Sequence, residues 1–205
     1  MPKNKNPLFT LFVLSFLFLF LTPSQALARM RRNNYIVGKL GAYTPESSDL
    51  SGFDSGFTGE FDIGRYLNRN FAVEGGFGYL ETYLPAVFYF NQNQFFPEDD
   101  IDATYLEATA KAVFPIPLYY AYARPAINLY AGAGLGVYFA HESIDGPSAD
   151  DTVAGFHVLG GGDFNVNRRF FVGPEFKYIF ARPDLVFGKT SLDGFIFTIN
   201  FGYRF

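Results

Sequence analysis

His141 and Ser143 stand two residues apart, a base and a hydroxyl that an extended chain would place on one face. Such a pair is the start of nucleophilic catalysis: the imidazole takes the hydroxyl proton as the oxygen attacks, and a third group orients the imidazole. Glu142 lies between them, and the segment runs on into Asp145-Gly146-Pro147. That run reads as a polar loop, so the pair stays a candidate and no enzyme is predicted. Asp99, Asp100 and Asp102 could offer oxygen ligands to a divalent cation. Solvated loop charge is the preferred account of them, and no metal site is predicted. Gly132, Gly134 and Gly136 have the wrong spacing for a nucleotide fingerprint, and no helical pattern follows them. No cofactor is expected. Glu175 and Lys177, an acid and a base at alternate positions, would lie side by side on a strand.

The elements that carry these residues follow from composition. The 205 residues include 27 Phe, 14 Tyr and 21 Gly but no Cys or Trp. Absence of Cys excludes a disulfide framework and a thiolate metal site. Aromatics at 20% and charged residues at 18% are an unusual balance, against an average of about 25% charged. A mean hydropathy of +0.07 is too polar for a bundle of membrane helices. The one long apolar run, Leu8 to Leu21, follows Lys3 and Lys5 and precedes Ala26-Leu27-Ala28. It is short of the roughly 20 residues a spanning helix needs. Residues 1–28 therefore read as a cleavable signal peptide and 29–205 as one domain. A retained anchor is the alternative, supported by Arg29, Arg31 and Arg32 beside the run. Cleavage removes two of the 16 basic side chains and none of the 20 acidic ones. No basic surface remains for nucleic acid.

Beyond residue 28 the dominant period is two, which is the signature of strands. Phe195, Phe197, Ile199, Phe201, Tyr203 and Phe205 occupy one face of the last segment, against Ile196, Thr198, Asn200, Gly202 and Arg204. The same alternation runs through 169–180, 128–139 and 105–114, and more weakly through 35–43, 58–67, 71–82 and 153–165. That makes eight strands. Asn68-Arg69-Asn70 and Val166-Asn167-Arg168 are tight polar turns, and residues 115–124 join strands four and five with Tyr119, Tyr120 and Tyr122. Long loops are expected at about 44–57, 84–101, 140–151 and 181–191. Short turns at one end and long loops at the other are the pattern of an outer-membrane barrel. The fold class is thus all-β: an eight-stranded antiparallel up-and-down transmembrane barrel.

A soluble barrel of the same size would be apolar inside and polar outside. Here the less apolar face is rich in glycine, a poor solvated surface but one that fits a narrow interior. Eight strands leave a lumen just wide enough for side chains to fill. Charges on the lipid side cost roughly 2–4 kcal/mol each at the midplane, so the register turns them inward. The expected lumen set is Lys39, Glu60, Asp62, Glu74, Glu107, Lys111, Asp163, Glu175, Lys177 and Arg204, with His157 beside them. They will pair, because a buried charge without a partner is far costlier than a paired one. A proton or ion path is the functional alternative to this plug. Phe88, Tyr89, Phe90, Phe95 and Phe96 crowd the second outer loop as a candidate contact surface.

Two resemblances sharpen the picture. Phe201-Gly202-Tyr203-Arg204-Phe205 resembles the C-terminal signature of bacterial outer-membrane barrels. Residues 63–74, IGRYLNRNFAVE, resemble a strand–turn–strand hairpin of small OmpA/OmpW-like barrels, and 129–136 are similar to their central glycine-rich strand. This likeness covers the whole chain after the signal. It implies a porin-like protein of the Gram-negative envelope, inserted by the outer-membrane assembly machinery. In that family the machinery reads the final strand, making Phe201, Tyr203 and Phe205 the expected assembly signal. Separately, His141 and Ser143 resemble the catalytic pair of the outer-membrane lipid A deacylase. That family has Asn directly after the Ser, where Ile144 stands here. No orienting Glu is obvious at the matching place on a following strand.

The expected function is a non-enzymic outer-membrane barrel with a side-chain-plugged lumen, serving envelope integrity or surface contact. An OmpW-like narrow channel for small apolar solutes is the alternative, and a lipid A deacylase-like hydrolase the third reading. Expected partners are outer-membrane lipid, lipopolysaccharide, the assembly machinery and, for the channel, a small apolar solute.

Overall fold

The computed structural model describes residues 33–46, 54–84, 87–89, 94–96, 99–117, 125–144, 148–185 and 188–205. The expected signal peptide lies outside these. The chain forms β1 (Asn34–Pro45), β2 (Gly56–Tyr66), β3 (Phe71–Leu84), β4 (Val87–Tyr89), β5 (Gln94–Phe96), β6 (Asp99–Pro117), β7 (Pro125–Ile144), β8 (Ser148–Asn165), β9 (Phe170–Phe180), β10 (Asp184–Leu185), β11 (Gly188–Lys189) and β12 (Gly194–Arg204). Eight of them close a barrel in the order β1-β12-β9-β8-β7-β6-β3-β2, while β4–β5 and β10–β11 are separate two-stranded pieces. Every barrel pairing is antiparallel. Closure leaves no open sheet edge in the ring, which hydrocarbon requires, although the β8–β9 ladder is interrupted at Gly162 and Asp163.

The alternation holds around the ring. Leu40, Phe61, Phe77, Phe176 and Phe201 project outward, and Leu135 is 63% exposed. Their neighbours in sequence point inward and are buried, among them Lys39, Asp62, Glu175 and Lys177. A slip of one residue would exchange the two sets, so burial of one face fixes the register.

The strands reach further than the alternation predicts. β6 and β7 are 19 and 20 residues long. The expected loop at 140–151 is mostly ladder, since Ser143 pairs with Ser148 and Ala140 with Asp151. The loop at 84–101 likewise gives ground, with Leu84 paired to Asp99. Periodicity marks the part of a strand that meets lipid, whereas backbone pairing continues above it through Asp, Ser and Thr. At the opposite end β6 runs to Pro117 with a register shift between Ile116 and Pro117. Tyr119, Tyr120 and Tyr122 lie outside the described residues.

The lumen is packed in three layers. Near the long-loop end Tyr43, Leu80, Ile101, Tyr105, Tyr138, Ile179, Leu192 and Ile196 form a buried apolar cluster. Leu192 is delivered by the segment after β11, which Tyr43 Oη anchors by donating to the Leu192 carbonyl at 2.9 Å. Near the short-turn end Tyr35, Val37, Val113, Tyr130, Leu159 and Phe171 form a second cluster. The charges lie between.

Candidate functional site

Direct opposition on the wall brings the charges together: Lys39 on β1 stands across from Glu60 on β2. Its Nζ lies 2.7 Å from Glu60 Oε1, Asp62 Oδ2 and Glu175 Oε1. Lys111 Nζ lies 2.6 Å from Glu74 and 3.0 Å from the second oxygen of Glu175. Lys177 pairs with Glu60 and Glu107. Glu60 and Glu175 thus each bridge two lysines, linking eight of the ten predicted side chains into one network. Asp163 and Arg204 form a separate pair at 3.6 Å nearer the short turns. His157 adjoins the network, its Nδ1 3.4 Å from Glu107 and its Nε2 2.9 Å from Thr109 Oγ1.

Tyrosines finish the layer. Tyr105, Tyr130 and Tyr35 donate to Glu60, Glu175 and Glu74 at 2.9, 2.9 and 2.7 Å. Asn200 Nδ2 donates to Tyr130 Oη at 3.1 Å. Lys111 also sits 4.3 Å from the centre of the Tyr130 ring, a cation–π contact. These polar rings were missed as site residues in the sequence. Their signal was the same period of two, which puts Tyr105 and Tyr130 on the inward face.

Glycine makes the space. Gly76 lies between Asp62 and Glu107 in the wall, and a Cβ there would stand 2.3 Å from Asp62 Oδ1. At Gly78 a Cβ would stand 2.2 Å from Cζ of Tyr105. The arrangement can exclude ions. An anion meets five carboxylates, a cation meets three fixed ammonium groups, and apolar clusters cover both sides. Parting a buried pair costs about 3–5 kcal/mol. A cavity beside Glu74, Lys111, Tyr130 and Asn200 has room for about one water molecule.

The remaining candidates lie elsewhere. His141 and Ser143 are on β7, not in a loop, and share its outer face above the lipid band; Glu142 between them points inward and is buried. An orienting acid does stand on the following strand: His141 Nδ1 is 2.6 Å from Asp150 Oδ1 on β8. This hydrogen bond raises the imidazole pKa above its ordinary value. Burial raises the Asp102 carboxyl, which faces His141 from β6. Among the described residues no hydrogen bond joins His141 to Ser143, and Asp100 is the wall neighbour of Ser143. No group of three or more metal-ligating side chains forms among the described residues. In the second outer loop Phe88 pairs with Phe95, and Val87 with Phe96, as a short hairpin that includes Tyr89; Phe90 lies outside the described residues. Phe201 and Phe205 are outward and exposed, and the Tyr203 ring packs 5.0 Å from that of Phe170.

The architecture matches known proteins. The family described as "Outer membrane protein beta-barrel domain" matches residues 13–205. Among solved structures, Neisserial surface protein A is similar at 17% identity and a TM-score of 0.64, covering 84% of this chain and 97% of that one. The outer membrane protein OprG of Pseudomonas aeruginosa gives 13% and 0.59, with 84% and 96% covered. A major outer membrane protein of Thermus thermophilus gives 10% and 0.56, with 85% and 100% covered. At such identities the likeness is one of fold. No curated protein matches the chain. The family match covers the barrel from end to end, and this chain belongs to the outer membrane protein beta-barrel domain family, whose place is the bacterial outer membrane.

Proposed function

We propose that the protein is a non-enzymic, non-conducting barrel whose work is done by its wall and its outer end, in envelope integrity or surface contact. One observation carries this: Lys39 on β1 holds three carboxylates, two from β2 and one from β9, at 2.7 Å across the middle of the lumen. Residues 1–28 act as the export signal, and the outward aromatics Phe201, Tyr203 and Phe205 serve the assembly machinery. Outer-membrane lipid and lipopolysaccharide surround the wall. Single-channel recording in planar bilayers tests the reading. Purified barrel should give no stable conductance steps, and steady large steps would overturn it.

The Asp150–His141 hydrogen bond favours a second reading, a hydrolase acting on acyl groups at the membrane surface. The acids around Ser143 and His141 count against it, since negative charge there opposes the oxyanion that acyl transfer must form. Unchanged lipid A mass spectra on overexpression would dismiss it, and loss of an acyl chain abolished by Ser143→Ala would establish it. The OmpW-like conduit for small apolar solutes rests on the second-loop aromatics. It fails if replacing Phe88, Phe90, Phe95 and Phe96 by Ser leaves uptake of such solutes unchanged.

A further inference from the structure

The two described short turns are near copies. Leu67-Asn68-Arg69-Asn70-Phe71 and Val166-Asn167-Arg168-Arg169-Phe170 share the order apolar, Asn, Arg, polar, Phe. Their hydrogen bonds repeat as well. The amides of Leu67 and Asn68 donate to the Phe71 carbonyl at 2.8 and 3.3 Å, and those of Val166 and Asn167 donate to the Phe170 carbonyl at 3.0 and 3.2 Å. In each turn the Asn side chain accepts from the amide two residues on, at 2.8 Å for Asn68 and 2.7 Å for Asn167. This closes the same Asx turn twice. Arg69 and Arg168 therefore hold the same turn position, and both are exposed.

Each arginine stands between exposed apolar anchors, Leu67 and Phe71 in one turn, Val166 and Phe170 in the other. In the ring of eight strands the β2–β3 turn and the β8–β9 turn are four strands apart, on opposite sides of the barrel. Acidic side chains are segregated along the axis. Among the described residues, no carboxylate side chain stands outside the lumen at this end. Glu46, Glu81, Asp100, Asp102, Asp150, Asp151 and Asp184 gather at the other.

We propose that Arg69 and Arg168 bind the phosphate groups of anionic phospholipids in the leaflet at the short-turn end, two matched footholds that set the depth of the barrel. A guanidinium fork fits phosphate oxygens bidentately. The flanking Leu, Val and Phe side chains require that the phosphate be attached to acyl chains, which selects a phospholipid over a free anion. Opposed footholds also resist tilting, which a single one would not.

The test is lipid retention. Wild-type barrel is equilibrated with equal phosphatidylglycerol and phosphatidylcholine, washed with detergent, and its retained lipid counted by native mass spectrometry. Phosphatidylglycerol should be retained in excess, and the excess should fall with rising salt. Loss of each arginine should reduce the preference roughly fivefold, the ratio that about 1 kcal/mol per cationic side chain at an anionic surface represents. Arg69→Gln with Arg168→Gln should therefore abolish it, Lys at both positions should restore part, and Arg182→Gln at the other end should change nothing. Heat-modifiable gel mobility reports folding, and the single variants stand in if the double variant fails to fold. The proposal is overturned if wild type shows no preference, if the preference ignores salt, or if it survives loss of both arginines.

Discussion

Lys39 is the side chain on which most of the lumen depends, because Glu60, Asp62 and Glu175 all end on its ammonium group. Lys39→Met leaves them facing one another in a buried site, and should lower stability to urea by about 3–5 kcal/mol. Gly78→Ala tests the fit of the same layer from the wall. Its methyl would push Tyr105 off Glu60, and the same unfolding experiment should show a loss of about 1–3 kcal/mol. At the outer rim the sign of the pH effect is set by Asp150. The His141 imidazole is held above its ordinary pKa by that carboxylate. Its stabilising contribution is thus complete below about pH 6.5 and is lost as pH rises through the raised value. An NMR titration should find the His141 midpoint above the ordinary value in wild type and back near it in Asp150→Asn. The ten lumen positions were readable in the sequence because period two fixes the face of each one. The Asp150 partner was not, because it depends on the register in which β7 pairs with β8.

Strands carry the membrane contract through their outer faces. Leu135 is near the middle of β7 and largely exposed. Leu135→Arg should therefore cost about 2–4 kcal/mol in lipid vesicles, measured as a shift in the urea midpoint. Alternation made all eight barrel strands legible, down to which side chains meet lipid. It understated their length, since polar residues above the lipid band keep the ladder without leaving a hydrophobic trace. It also left Ile179 and Ile196 as apolar exceptions, with Phe171, on the inward faces of β9 and β12. Ile179 and Ile196 belong to the apolar layer that covers the charges on the long-loop side, a role that emerges only when β9 and β12 are laid against β1 and β3.

At the scale of the whole molecule the barrel reads as a wall with a sealed centre. Rings outside satisfy the hydrocarbon, and the charges needed nowhere else are spent on each other inside. Among the described residues the exposed acidic side chains gather at one end, which makes the two ends of the barrel unlike. On the function proposed above, such a body holds a place in the envelope and presents loops without opening a path for ions. The sealed centre is open to direct measurement by solid-state NMR on barrel with 15N-labelled lysine and 13C-labelled carboxylates in bilayers. Strong Nζ-to-carboxyl transfer is expected for Lys39, Lys111 and Lys177, at separations of about 4 Å or less, with the Lys39 signals absent in Lys39→Met. Three lysines that exchange freely with water and show no transfer to any carboxyl would contradict a sealed centre.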